Sequence, residues 1–163
     1  MTDNVPSRRA VLVGLATTTG GCLGQVFDNP SMALTGIRLH NWTNYQTTIH
    51  LQLFREDERV LEERVSLAPL QEPGSVASFT PGWSVEDARY RIRLEETDGG
   101  ATLERRLPPD DFSWDGCAYA DIDLENGWGP NRTVGPDAEK SFEMHLQEVT
   151  DPKDFSSDYC PDR

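Results

Sequence analysis

From Leu34 onward, apolar and polar residues alternate with a period of two, the pattern of strands that bury one face. Ile37 and Leu39 begin the first run, and Ile49, Leu51 and Leu53 alternate with His50 and Gln52 in the second. Val60 to Leu67 forms a third after the charged turn Glu56-Asp57-Glu58. A short fourth, with Val76 and Phe79, lies between Pro73-Gly74 and Pro81-Gly82. Tyr90, Ile92 and Leu94 alternate with Arg89, Arg91 and Arg93 in a fifth, which Asp98-Gly99-Gly100 turns into a sixth around Leu103 and Leu107. Ala120, Ile122 and Leu124 alternate with Asp121 and Asp123 in a seventh; Phe142, Met144 and Leu146 alternate with Glu143, His145 and Gln147 in an eighth.

Seven to eight short strands joined by turns, with no convincing amphipathic helix, predict an all-β chain: a single immunoglobulin-like antiparallel β-sandwich. The Trp-between-cysteines pattern of true immunoglobulin domains is absent, since Trp114 precedes Cys117 by three residues, so the expectation is of architecture and not of family. A closed β-barrel is the second choice. Residues 107–116 and 125–140, rich in Pro, Gly, Asp and Trp, interrupt the alternation. Long loops at one end of a sandwich are a usual seat of binding.

The first 24 residues follow different rules. Arg8 and Arg9 precede a short, mildly apolar stretch from Ala10 to Thr18, and Gly20 and Gly21 lead to Cys22. Ser7-Arg8-Arg9-Ala10-Val11-Leu12 resembles the signal of twin-arginine-exported lipoproteins. That resemblance implies removal of residues 1–21, lipidation of Cys22, and a protein held at the outer face of the cell membrane. Cleavage without lipidation is the alternative. A transmembrane anchor fails on length, because Ala10 to Leu23 is 14 residues and a span needs about 20. Residues 22–34 then read as a tether, and 35–163 as the sandwich domain.

Removal of residues 1–21 takes away Arg8, Arg9 and Asp3, leaving 142 residues with 13 basic and 27 acidic side chains, a charge of −14. Only Lys140 and Lys153 are lysines. Strong acidity with scarce lysine resembles the proteins of extremely halophilic archaea, in which carboxylates hold water and cations at molar salt. The same charge excludes nucleic acid as a partner, since phosphate backbones need clustered Lys and Arg. The alternating Arg89, Arg91 and Arg93 are expected to meet acidic residues on neighbouring strands. With Cys22 assigned to lipid, Cys117 and Cys160 remain as an even pair, expected to form a disulfide in an oxidising compartment; two free thiols are the alternative.

Candidate chemistry is sparse. The segment Asp121 to Gly127 superficially resembles a calcium loop, but its Gly is seventh and its twelfth place is Arg132. On a strand, Asp121, Asp123 and Glu125 share one face and with Asn126 could hold a cation; a solvated acidic face is the alternative. His40, His50 and His145 stand isolated in sequence, and no His follows Cys117 closely enough for a copper centre, so no metal or other cofactor is expected. No nucleophile elbow and no His-Glu-x-x-His helix is present, so no catalytic residue is named.

Trp42 and Trp83 read as core or rim packing. Trp114 and Trp128, in glycine-flanked loops, are candidates for stacking on a sugar or a partner surface, with burial at the sandwich end as the alternative. Asn41-Trp-Thr43 and Asn131-Arg-Thr133 are sequons for N-glycosylation. The sequence thus predicts a membrane-tethered, non-enzymatic binding or accessory module that touches an envelope protein or glycan. An acidic-cleft solute-binding protein or hydrolase is the alternative.

Overall fold

The computed structural model describes residues 31–109, 116–126, 139–150 and 157–160. Among the described residues, nine strands succeed one another: β1 Met32–Asn41, β2 Thr47–Arg55, β3 Glu58–Leu67, β4 Val76–Phe79, β5 Asp87–Ala88, β6 Tyr90–Glu96, β7 Thr102–Leu107, β8 Cys117–Glu125 and β9 Ser141–Glu148. They build two sheets. Sheet A runs β4-β1-β8-β9 with the two-residue β5 also on β1, and sheet B runs β3-β2-β6-β7. The sheets do not close into a barrel, and the arrangement is a β-sandwich. Among the described residues, no helix is long and apolar enough to cross a membrane.

Period-two alternation has its physical outcome in one continuous core. Ile37 and Leu39 of β1 and Ala118, Ala120, Ile122 and Leu124 of β8 join Ile49, Leu51 and Leu53 of β2 and Ile92 and Leu94 of β6 in a single buried cluster. Each fully buried Leu or Ile contributes about 1.5–3 kcal/mol over an exposed one. Trp83, expected at core or rim, is buried and donates its indole N–H to the Leu34 carbonyl at 3.0 Å.

Two expectations need correction. The wholly antiparallel arrangement fails where it matters most, because β1 and β8 pair in parallel. The chain leaves sheet A after β1 for β2 and β3 of sheet B, returns for β4 and β5, crosses again to sheet B for β6 and β7, and re-enters sheet A at β8. A parallel neighbour is reached only through such a crossover. The tether also ends earlier than Leu34: β1 begins at Met32, and Met32, Ala33 and Leu34 are core residues.

Turn chemistry works as its residues suggest. Between β2 and β3, Glu56 and Asp57 take positive φ, 46° and 71°, as a two-residue hairpin of matching twist requires. The Glu56 carboxylate accepts from the Arg89 backbone N–H and from Arg89 Nη2, each at 2.8 Å, tying that turn to the start of β6. Arg91 meets Glu104 of the neighbouring β7 at 3.6 Å, as expected, and lies 4.1 Å over the Phe54 ring, whereas the acidic partner of Arg89 is the turn residue Glu56 and not a strand residue.

After β6, a Cβ at Gly99 would lie 2.2 Å from Glu96 Oε2, so a larger residue there would displace that carboxylate. Glu96 itself is buried, with its carboxylate receiving Thr47 Oγ1 at 2.8 Å and the ammonium of Lys140. That pair joins the segment before β9 to sheet B. Cys117 and Cys160 form the expected disulfide, which fastens the turn at Ser157–Tyr159 to the first residue of β8. With a sequence separation of 43 between its ends, the bridge stabilises by about 4 kcal/mol at most on chain-entropy grounds.

Candidate functional site

Because Ile37 and Leu39 take the inside of β1, Arg38 and His40 between them face out; on β8 the same alternation turns out Tyr119, Asp121 and Asp123. The parallel register sets Arg38 opposite Asp121 and His40 opposite Asp123. Residues 80 or more apart in sequence are thereby brought onto one strip of the outer face of sheet A.

The strip is ordered by specific contacts. Arg38 grips Asp121 with two nitrogens, Nε to Oδ1 at 3.3 Å and Nη2 to Oδ2 at 3.1 Å, and Nη2 also donates to the Tyr119 hydroxyl at 3.0 Å. Its guanidinium carbon lies 5.1 Å from the centroid of the Tyr119 ring. Burial, the largest single influence, pulls the Arg38 pKa down, but the hydrogen bonds and charge of Asp121 with those of Tyr119 outweigh it and carry it up. Arg38 is therefore a fixed cation. His40 Nε2 stands 2.9 Å from Asp121 Oδ1 on the other side of that carboxylate.

Trp42 completes the strip. Its backbone N–H continues the parallel ladder to the Leu124 carbonyl at 3.0 Å, one residue beyond β1. The indole N–H donates to Asp123 Oδ1 at 2.8 Å, and the ring lies 6.0 Å from that of His40 with their planes 13° apart. Even so, 47% of Trp42 remains open to solvent. A large apolar ring is thus held on the open face by one hydrogen bond and one stacked neighbour.

What holds the backbone at Trp42 is the sequon itself. Asn41 is 1% exposed, and its amide nitrogen donates to the Tyr45 carbonyl at 2.7 Å and the Ala68 carbonyl at 2.8 Å. Its Oδ1 accepts from the Thr43 N–H at 3.0 Å and from Thr43 Oγ1 at 2.7 Å. Asn41 and Thr43 are two pegs of a tight turn that presents the residue between them. The nitrogen to which a glycan would be joined is buried and has both hydrogens engaged, so glycosylation of Asn41 does not fit the folded domain.

Other expected residues fall as follows. Cys22, Trp114, Trp128 and Asn131 lie outside the described residues. Asp121 and Asp123 share the outer face of β8 as expected, but the group they form is not the one the local spacing suggested. Asn126 is buried, and the residue that joins the two aspartates is His40, from β1. None of the three histidines is isolated in space: His50 meets Glu62 at 3.0 Å, and His145 lies 3.7 Å from Glu143. His40 and Trp42 were missed as site residues because their partners come from the far end of the chain. The alternation of Arg38 and His40 with core residues was the available signal, and only the β1–β8 pairing gives it meaning.

No protein-family model matches this chain, and no curated protein matches it.

Proposed function

We propose that the protein is a lipid-anchored, non-enzymatic binding module at the outer face of the cell membrane, and that the strip around Trp42 contacts an envelope glycan. The observation that carries this reading is the setting of Trp42. A half-exposed indole is fixed on an open sheet face, and hydrogen-bonding groups of His40, Asp121, Asp123 and Arg38 lie beside it. Sugars offer the matching chemistry: an apolar ring face for stacking and a rim of hydroxyls that both donate and accept. A ring held in place before binding loses little rotamer entropy on contact.

The membrane address rests on Arg8, Arg9 and Cys22, and a lipid at Cys22 would keep the sandwich near the envelope. The test is binding of oligosaccharides released from the cell envelope, followed by tryptophan fluorescence in molar salt. Saturable binding that Trp42→Ala abolishes supports the reading; equal binding by both proteins removes the strip from it. Turnover of the same oligosaccharides into shorter products would move the protein to the hydrolase class.

A further inference from the structure

We infer that His40, Asp121 and Asp123 form a site for a divalent transition metal with the ligand preferences of zinc. One donor atom from each of the three residues lies within 4.8 Å of the others. Donors bound about 2.1 Å from one ion lie roughly 3.0 to 3.4 Å from each other in octahedral or tetrahedral geometry. At 2.9 Å, His40 Nε2 and Asp121 Oδ1 already stand close to that spacing. The third donor, from Asp123, lies within 4.8 Å of both.

The donor set chooses the metal. One imidazole nitrogen with two carboxylate oxygens suits zinc and its first-row neighbours, whereas calcium takes six to eight oxygens and magnesium keeps most of its water. Groups outside the ligand set orient each donor, as the outer partners of metal ligands do. Arg38 Nη2 holds Asp121 Oδ2 at 3.1 Å, and its Nε lies 3.3 Å from Oδ1, which turns Oδ1 toward His40. The Trp42 indole N–H holds Asp123 Oδ1 at 2.8 Å and leaves Oδ2 free of that bond. The His40 ring is aligned with that of Trp42.

Arg38 cancels one of the two carboxylate charges, so the ion meets a net charge near −1, and binding is correspondingly exchangeable. Three protein ligands leave a fourth position open to water or to an external oxygen ligand. The inference goes beyond the glycan reading and does not rest on it; zinc would bind whether or not a sugar does.

The experiment is a calorimetric titration of the intact protein with zinc chloride in molar potassium chloride, any free thiol alkylated, with calcium and magnesium as comparison ions. The expected result is one zinc per molecule, lost in His40→Gln and in Asp123→Asn. Trp42→Phe, which keeps a ring and removes only the N–H, should weaken binding by about tenfold or more. In the unaltered protein, the imidazole resonances of His40 should move on zinc addition before those of His50 and His145. Absence of zinc binding, equal binding by the His40 and Asp123 variants, or first movement at His50 or His145 would each overturn the assignment. The resonance measurement decides the matter even if a variant fails to fold.

Discussion

Replacing Asn41 by Ala should cost far more than the loss of a surface sequon would suggest. The change removes four hydrogen bonds at once: two donated to the carbonyls of Tyr45 and Ala68, and two accepted from Thr43. At about 1 kcal/mol net for each, the loss is about 3–4 kcal/mol, because the side chain is 1% exposed and water cannot take its place in full. For a domain of this size each kcal/mol moves the melting temperature by about 3 °C, so the midpoint should fall by roughly 10 °C. Thr43→Ser keeps the hydroxyl that bonds Asn41 Oδ1 and should cost about 1 kcal/mol or less. Thermal melts followed by circular dichroism in molar salt make the comparison. A midpoint drop below 3 °C for Asn41→Ala would show that the turn does not depend on this side chain. Mass spectrometry of the native protein offers an independent check: the peptide carrying Asn41 should be unmodified.

Three further outcomes are expected. Lys140→Met leaves the Glu96 carboxylate buried without its cation and should cost about 3–5 kcal/mol, part of which Glu96→Gln in the same chain should restore; a loss under 1 kcal/mol in denaturant titration would mean that the pair is solvated. Hydrogen bonds from Arg89 hold the Glu56 carboxyl below its ordinary pKa of 4.5, and those from His50 and Gln52 do the same for Glu62. Their support is complete above pH 4.5 and is lost as pH falls through the lower folded values, so melting temperature should drop below that point, less steeply for Glu56→Gln with Glu62→Gln; equal slopes would refute the assignment. Transfer from molar to millimolar salt should destabilise the domain through the strong negative charge of the chain, −13 over its full length, and a melting curve that does not move would contradict the halophilic reading.

The strands were legible because each has a face that must be buried, and alternation records that need directly. Ile49, Leu51 and Leu53, for example, read as core and are core. Turn residues were equally plain at Glu56-Asp57 and Asp98-Gly99-Gly100. Pairing was not legible, since alternation is the same for parallel and antiparallel neighbours. The β1–β8 contact therefore could not be read from either strand, and with it went the strip that joins Arg38 and His40 to Asp121 and Asp123. Asn41 misled for a related reason. A sequon and a turn held by Asn and Thr are the same three letters, and only burial tells them apart. The disulfide was reached by counting, because Cys117 and Cys160 remain once Cys22 is set aside.

The most direct test of the account is the indole N–H resonance of Trp42 during titration with envelope oligosaccharide. Engagement of the outer face of sheet A should move this signal first, together with the backbone amides of His40 and Asp123. Shifts confined to sheet B, or a Trp42 signal that stays in place while the sugar binds, would contradict it.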